Sequence, residues 1–368
     1  MYPTSIQQLT DFLATLAPPA YQEGYDNAGL IVGHPATEIT GALLSLDCTE
    51  EVVEEAVRRG CNVVVAHHPI VFKGLKRLNG KNYVERTVIA AIRANVALYA
   101  IHTNLDHVAH GVNAMIAERL GLANVRVLAP KRQLLMKLTF FVPIADTQVV
   151  LDAVFAAGAG QVGNYSECSF QSVGEGTFKP GNGTNPHLGQ AGTLERVAEQ
   201  RVEVLFPAHL EANIMRALRQ AHPYEEVAHY LHLLENENQE VGAGAIGELP
   251  VPLPAAEFLG YLKEKMEVSV IKYTATTQPL IRRVAVCGGA GSFLLPQALG
   301  AGADAFVTAD FKYHEFFDAE NKVMICDIGH YESEVFTKQL LFNHISKKFD
   351  NFALYLSEVN TNPVSYYY

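Results

Sequence analysis

Residues 42–68 read ALLSLDCTEEVVEEAVRRGCNVVVAHH. The apolar run at 42–47 predicts a buried strand, and the run at 62–66 predicts a second one. Between them, apolar side chains over 50–59 recur at the spacing of a helix with one buried face. Strand, helix and strand in this order form a βαβ unit, whose two strands lie parallel because the crossover returns the chain to the same end.

The pattern of alternating strands and helices continues beyond this unit. Residues 87–94 have the composition of a helix, 97–101 form an apolar run, and 112–120 show helical spacing. Strands that are apolar on both faces and alternate with helices are typical of a parallel sheet covered on both sides. The N-terminal part of the chain therefore belongs to the α/β class.

The last third of the chain repeats this order of elements. An offset of 242 residues places 46–68 on 288–310 without a gap and pairs His68 with Asp310. Few residues are identical, so a chance match between two βαβ units remains an alternative. We interpret the match as an internal structural repeat, which predicts two similar α/β halves with parallel-rich sheets.

The middle of the chain follows a different pattern. Strands are predicted at 135–142, 168–173, 202–206 and 227–234, with helices at 147–157 and 211–220. The order βαββαβ is typical of a ferredoxin-like α+β domain, and the stretch rich in Gly, Asn and Pro at 174–192 predicts a long loop between its two central strands. We therefore predict a discontinuous α/β domain at 1–129 and 246–368, with an inserted ferredoxin-like domain at 130–245.

Composition and charge argue against several classes of protein. The formal net charge of −11 disfavours nucleic acid and membranes as partners, because both need clustered Lys and Arg. The five cysteines are widely spaced and form no CxxC pair, which is typical of buried thiols in a reducing compartment. The N-terminal residues lack the basic and apolar segments of a signal peptide, so we predict a cytoplasmic protein.

Metal-binding side chains follow each of four predicted strands. Ligands collect at the carboxyl ends of parallel strands, where loops project from a rigid sheet. His67 and His68 follow the run at 62–66, His102 and Asp106 follow 97–101, Asp310 follows a strand ending at Val307, and Asp327, His330 and Glu334 follow a strand ending at Cys326. These groups should meet at one edge of the sheets.

The spacing of five of these residues suggests two cations. Adjacent side chains at a strand end diverge, so His67 and His68 suit two neighbouring ions better than one. His330 and Glu334 lie four residues apart and would project from one helix face. A bridging Glu334 carboxylate and a bridging water can hold two divalent ions ~3.5–4 Å apart, and Asp106 would complete one coordination sphere. Imidazole and carboxylate ligands suit Zn²⁺, Fe²⁺, Mn²⁺ or Ni²⁺, and the pattern does not choose among them.

Each signal has an ordinary structural explanation. A pair of histidines after a strand is commonly a cap or a surface feature, and HxxxE at a helix start is common by chance. Their joint occurrence at the strand ends of equivalent halves favours metal binding. We expect His102 to contact a metal-binding side chain, or to be an ordinary loop histidine, rather than to bind a metal ion directly. Asp310 and Asp327 either orient ligating imidazoles or cap helices, and the glycines at 288–291 predict a tight turn, since GxGxxG and a Walker lysine are absent.

Six motifs resemble those of the NIF-three-like dinuclear metal-centre family, often described as homologues of GTP cyclohydrolase I type two. They are GYDNAGLIVG at 24–33, AHHPIVFKGLKRL at 66–78, HTNLDHVAHGVN at 102–113, CGGAGS at 287–292, DIGHYESE at 327–334 and SEVNTNP at 357–363. The resemblance covers nearly the whole chain. It is closest to the longer bacterial type, whose insert is similar to PII and CutA proteins, in agreement with the ferredoxin-like pattern in the middle of this chain.

The resemblance implies a metal site and an assembly. The family's ligands correspond to His67, His68, Asp106, His330 and Glu334, and its members commonly form toroidal homohexamers. These features predict a metal-dependent hydrolase of GTP cyclohydrolase I type two character that acts on a small molecule through a metal-bridging water. The alternative is a non-catalytic regulatory or metal-handling oligomer, which the lack of an identifiable general acid slightly favours.

Overall fold

The computed structural model describes residues 3–367 of the chain. The chain divides into two compact units. Unit 1 joins the segment up to Ala129 to the segment from Val241, and unit 2 is Pro130–Glu240. Helices and several sheets are mixed along the chain, which confirms the α/β class.

Strands and helices of the described residues have the following bounds. The strands are β1 Gly29–Val32, β2 Gly41–Ser45, β3 Val63–Ala66, β4 Ala97–Ala100, β5 Ala123–Lys131, β6 Leu135–Pro143, β7 Ser169–Phe178, β8 Glu195–Pro207, β9 His229–Leu234, β10 Asn238–Leu253, β11 Lys272–Tyr273, β12 Ile281–Ala290, β13 Ala305–Ala309, β14 Met324–Asp327 and β15 Ala353–Leu356. The helices are α1 Ile6–Leu16, α2 Glu50–Arg58, α3 Tyr83–Ala94, α4 Thr103–His107, α5 Val112–Arg119, α6 Thr147–Ala156, α7 Glu211–Ala221, α8 Ala255–Lys265, α9 Leu295–Gly300, α10 His330–Glu334 and α11 Thr337–Lys348. Short 3-10 segments lie at Pro19–Tyr21, Ile144–Asp146, Ala208–Leu210, Ser292–Leu294 and Tyr313–Ala319.

The first sheet of unit 1 has the strand order β1-β4-β3-β2-β15. Strands β15, β2, β3 and β4 run parallel, whereas β1 is antiparallel to β4. Every residue of β2, β3 and β4 is buried, which explains why their sequences are apolar throughout rather than alternating. The βαβ unit predicted from residues 42–68 is present, and its helix α2 begins after Thr49, whose side chain accepts a hydrogen bond from Val52 N.

The second sheet of unit 1 has the order β11-β14-β13-β12-β10-β5. Strands β12, β13 and β14 are parallel, β10 is antiparallel to β12, and β11 is antiparallel to β14. The glycines Gly288 and Gly289 lie inside β12, not in a tight turn after a strand as the sequence suggested. The register of β12 against β13 shifts between Val286 and Ala290. Gly289, with a positive φ of +61°, lies within this irregular stretch.

Unit 2 contains one antiparallel sheet with the order β7-β8-β6-β9. Leu138, Phe140, Val204 and Phe206 point to the side of the sheet that α6 and α7 cover, and they form its core. The loop predicted at 174–192 is displaced, because β7 extends to Phe178 and pairs there with the start of β8. The connection between these strands is therefore residues 179–194.

The cysteines are all free thiols, and four of them are buried. Cys48, Cys61, Cys287 and Cys326 lie inside unit 1, whereas Cys168 is only half-buried. Burial raises the pKa of Cys48 to about 12 and that of Cys61 to about 11, so neither forms the reactive thiolate near neutral pH.

We expect one thiol of the native protein to react rapidly with a disulfide reagent at pH 8, and five after unfolding in denaturant. Cys168 is the reactive group because the reagent must reach the sulfur as well as find it ionised. A spectrophotometric thiol titration with and without denaturant measures both numbers. Rapid native reaction that persists in Cys168→Ser would contradict the burial described above.

Within residues 3–367, the longest apolar helix falls short of what is needed to span a bilayer.

Candidate metal centre

Side chains from both sheets of unit 1 converge at one place. His67 and His68 directly follow β3, and Asp106 lies on the short helix α4 after β4. His330 and Glu334 are the first and last residues of α10, which follows β14. The structure thus brings all five predicted ligand residues together, although His68 and Glu334 are 266 positions apart along the chain.

The Glu334 carboxylate is at the centre of this cluster. Its Oε2 lies 3.0 Å from His68 Nε2 and 3.1 Å from His330 Nε2. Its Oε1 lies 3.9 Å from His67 Nε2, which is 3.5 Å from Asp106 Oδ1. The two carboxylate oxygens therefore face two different groups of donors, and each group is compact enough to hold a metal ion.

Two atoms of the cluster lack the hydrogen bonds that buried polar atoms normally make. His67 Nε2 and Asp106 Oδ1 are buried and have no hydrogen-bond partner among the described residues. Such an atom costs about 1–3 kcal/mol, so native proteins rarely leave one unsatisfied. Imidazole nitrogen and carboxylate oxygen are common ligands of divalent transition metals. The site therefore contains His, Asp and Glu groups that fit metal ions.

The three histidines of the cluster, and His102 beside them, are each held by a hydrogen bond at Nδ1. The partners are Ile101 O for His67 at 2.8 Å, Asp47 Oδ1 for His68 at 2.7 Å, Asp26 Oδ1 for His102 at 2.8 Å and Asp310 Oδ2 for His330 at 2.7 Å. A hydrogen bond at Nδ1 sets the orientation of an imidazole and leaves Nε2 available for a cation. The surrounding chain thus aims four rings at one small volume.

Asp310 and Asp327 have different roles. Asp310, at a positive φ of +59°, contacts the His330 ring, as one of our two expectations stated. Asp327 instead accepts hydrogen bonds from the backbone N–H groups of Phe311 and Gly329 and pairs with Lys272 at 2.8 Å. It holds the backbone around the site and does not orient an imidazole.

His102 lies directly beside the two histidines that follow β3. It forms a third compact group of potential ligands with His67 and His68. Its Nδ1 bond to Asp26 leaves the other ring nitrogen for this group. His102 is therefore a candidate ligand in addition to the five predicted residues.

Sequence reasoning missed two carboxylates, Asp26 and Asp47. Asp47 comes two residues after β2, so the strand-end rule that selected the other residues could have found it. Asp26 precedes an antiparallel edge strand, where that rule does not apply. Burial opposes ionisation of Asp26, but hydrogen bonds from His102 and Thr103 hold its pKa well below the usual range. An ionised Asp26 carboxylate is a strong acceptor for the His102 ring.

Burial and hydrogen-bond partners shift the pKa values of several metal-binding groups. Burial opposes charge on His68, but hydrogen bonds with Asp47 and Glu334 outweigh it and raise the pKa of His68 to about 10. The same balance, with Glu334 and Asp310 as partners, raises the pKa of His330 to about 9. Burial, helped by the nearby Glu334 charge, raises the pKa of Asp106 to about 8. Burial also opposes the Glu334 anion, yet its three histidine neighbours keep the pKa of Glu334 well below normal.

We expect a divalent cation to stabilise chelator-treated protein more at pH 8 than at pH 6. The raised pKa values mean that the folded state holds these protons more tightly than the unfolded state. The two histidines stabilise the metal-free protein fully below about pH 6.5, and this stabilisation is lost as pH rises through about 9 and 10. Asp106 stabilises it fully below about pH 4, and this stabilisation is lost as pH rises through about 8. A cation binds the unprotonated groups, so its affinity rises over the same pH range.

Thermal unfolding of chelated and reloaded protein at both pH values measures this effect. Asp106→Asn removes one titrating group and should reduce the difference between the two pH values. A cation-induced rise in Tm that is equal or smaller at pH 8 would show that proton competition is not important at this site.

The chain is similar to known proteins along nearly its whole length. The family model of Duf34/NIF3 (NGG1p interacting factor 3) matches residues 4–363. The "GTP cyclohydrolase 1 type 2 homolog" of Bacillus subtilis (strain 168) is 35% identical over 366 residues, which are 98% of either chain. The protein with the same description from Halalkalibacterium halodurans is 37% identical over 346 residues, 93% of either chain. The crystal structure of a Bacillus cereus protein related to NIF3 matches with a TM-score of 0.88, 35% identity and complete coverage of both chains.

Proposed function

We propose, from the premise that the chain belongs to the Duf34/NIF3 family, that it is a metal-dependent hydrolase with a dinuclear centre. One observation carries the proposal: the Glu334 carboxylate stands between two donor groups, one of which includes two buried atoms without hydrogen-bond partners. A carboxylate shared between two cations is a common feature of hydrolytic two-metal sites.

Residues of this chain would divide between the two cations as follows. His68 and His330 would hold one, His67 and Asp106 the other, and Glu334 both. Zn²⁺, Fe²⁺, Mn²⁺ and Ni²⁺ all suit this donor set. When bound, two such cations supply Lewis acidity and an activated water. Asp47 and Asp310 keep the His68 and His330 rings oriented, so the chain itself fixes the geometry before substrate arrives.

The charge of the surrounding cavity restricts the class of substrate. The site opens into a cavity of about 1450 Å³. Its lining includes seven carboxylates, those of Glu23, Asp47, Asp106, Asp310, Asp327, Glu332 and Glu334, and one lysine, Lys272, which pairs with Asp327. Two divalent cations would offset four of these negative charges and leave an excess of anions. Phosphates of a triphosphate that are not in direct contact with the cations would face this excess of negative charge.

We therefore propose an uncharged cyclic amide as substrate, rather than GTP, which appears in the names of the relatives. Exposed aromatic side chains, Tyr25, Phe72 and Phe293, line the same cavity and offer flat surfaces to a planar ring. Hydrolysis adds water across the C–N bond: hydroxide bonds to the carbonyl carbon, and the nitrogen takes a proton. The C–N bond breaks, and the ring opens to a product with a carboxylate at one end and the freed nitrogen at the other.

Activity measurements on metal-analysed protein test the proposal. The panel contains cyclic amides, phosphoesters and nucleotides including GTP, and the variants are His68→Ala and Glu334→Gln, with Glu257→Gln, an exposed position on α8 outside the cavity lining, as control. We expect metal-dependent turnover of a cyclic amide that both site variants lose and the control retains. Turnover of GTP alone would overturn the substrate class. Full metal occupancy without any turnover would overturn the hydrolase and support a regulatory or metal-handling protein instead.

We propose that unit 2 is a ferredoxin-like domain of PII/CutA type, supported by its two helices on one face of a sheet ordered β9-β6-β8-β7. We also propose that unit 1 consists of two similar halves and that the protein is a cytoplasmic homohexamer of toroidal shape, without membrane or nucleic-acid partners. Native mass spectrometry of the full chain tests the hexamer, and a stable monomer would contradict it.

A further inference from the structure

Unit 2 contains a cavity of its own, with a volume of about 570 Å³. It lies against the face of the sheet that α6 and α7 do not cover, since Glu199 and Arg201 alternate along β8 with the buried core residue Val202. Residues of the 179–194 connection and of the segment between α7 and β9 complete its wall. A hydrogen bond from Asn185 N to Glu225 Oε1, 3.0 Å long, joins these two segments.

Glu199 is a buried acid without a cationic partner. Only 8% of its surface is exposed, and it lines the cavity. Among the described residues no Lys, Arg or His forms an ion pair with it, whereas Glu203, four positions along β8, pairs with both Lys137 and Arg201. A buried carboxylate is costly unless a cation or several hydrogen bonds compensate it. Within the described residues the buried Glu199 carboxyl therefore faces the cavity with no side-chain cation paired to it.

The Tyr224 side chain lines the same cavity as Glu199. Its oxygen is buried and makes no hydrogen bond of good geometry in the described part of the chain. Burial, and then the facing Glu199 carboxylate, raise the pKa of Tyr224, so the hydroxyl stays neutral. A neutral hydroxyl and a carboxylate can together accept hydrogen bonds from an ammonium group.

Aromatic rings surround these two polar groups. Phe178 lies 5.8 Å from Tyr224 between ring centroids, and Phe141 lies 5.8 Å from Tyr230. All four rings line the cavity. The faces of aromatic rings attract cations, and their apolar surface accommodates the hydrocarbon part of a ligand. Acid and rings together favour a ligand that is both cationic and apolar.

We propose that the unit 2 cavity is a binding site for a small organic amine, with its ammonium group at Glu199 and Tyr224 and its apolar part among the four rings. Lys179 also lines the cavity but forms no ion pair with Glu199 within the described residues, so the chain does not fill the site with its own ammonium. Arg201 is already paired with Glu203. The proposed site belongs to unit 2, and the candidate metal centre belongs to unit 1.

Three probes of the same shape and different charge test the proposal on the full-length protein. Phenethylamine is cationic, phenethyl alcohol is neutral and phenylacetate is anionic. In calorimetric or ligand-observed NMR titrations we expect the amine to bind at least about tenfold more tightly than the alcohol, because a charged hydrogen bond replaces a neutral one. The acid should not bind. Binding of the alcohol as tightly as the amine, or no binding of the amine up to millimolar concentration, overturns the proposal.

Variants locate the site. Glu199→Gln should lose the preference for the amine, whereas Glu211→Gln, which removes the same charge from an exposed position on α7, should retain it. Gly176→Ala provides a second test if Glu199→Gln folds poorly. A Cβ at Gly176 would come within 2.0 Å of Glu199 Oε2 and push the carboxylate out of position without changing its charge. Unchanged amine binding in Gly176→Ala and Glu199→Gln would place the ligand elsewhere.

Discussion

Glu334→Gln is expected to abolish tight metal binding, with a loss of at least about 100-fold in affinity. Substitutions that only disturb the partners of metal ligands cost about 10–100-fold. Among the described residues, Glu334 is the side chain that belongs both to the group with His68 and His330 and to the group with His67 and Asp106. The amide keeps the size of the side chain but lacks the charge and one of the two acceptor oxygens. Competition with a chromogenic chelator, followed by metal analysis after dialysis, measures the loss.

Glu332→Gln is the matched control for this change. Glu332 lies on the same short helix, and its carboxylate accepts a hydrogen bond from Asn362 Nδ2 at 2.9 Å without joining any of the candidate ligand groups. It should bind metal as the unmodified protein does. If Glu334→Gln and its control retain the same metal content, the dinuclear assignment fails, whatever activity the protein has.

Gly289→Ala is expected to lower both the stability and the metal affinity of the protein. Gly289 has a φ of +61°, and a Cβ there would lie 2.5 Å from Glu334 Oε1 and 3.2 Å from His330 Nε2. The left-handed backbone and the contact together should cost about 1–3 kcal/mol of the free energy of unfolding. The added methyl group also pushes the Glu334 carboxylate away from His67 and Asp106, so metal affinity should fall as well.

Gly300→Ala is the control for this substitution. Gly300 ends helix α9, and a Cβ there would meet no atom within 4 Å. Alanine should therefore be neutral or slightly stabilising, by up to about 1 kcal/mol. Denaturant unfolding of metal-free protein measures the free energy of unfolding, and competition with a chelator measures the metal affinity. A Gly289→Ala protein as stable and as well loaded as Gly300→Ala would show that β12 does not need this close approach.

Local patterns predicted much of unit 1, because its central strands are short and buried on both faces. The run at 62–66 could only be a covered strand, and the residues that follow such a strand lie at the carboxyl edge. Prediction was weaker for the glycines in β12 and for the length of β7. Both depend on pairing with a distant strand, and a single sequence carries no signal for that register.

The sequence by itself determined the α/β class, the family and the five side chains that the structure brings together, Glu334 among them, because periodicity, motifs and strand-end position are properties of short segments. Only the tertiary structure decided that Asp26 and Asp47 fix the His102 and His68 rings, that His102 faces the cluster, and that two atoms there lack hydrogen bonds. Those facts depend on distances between residues far apart in the chain. Packing sets such distances, and no local pattern records them.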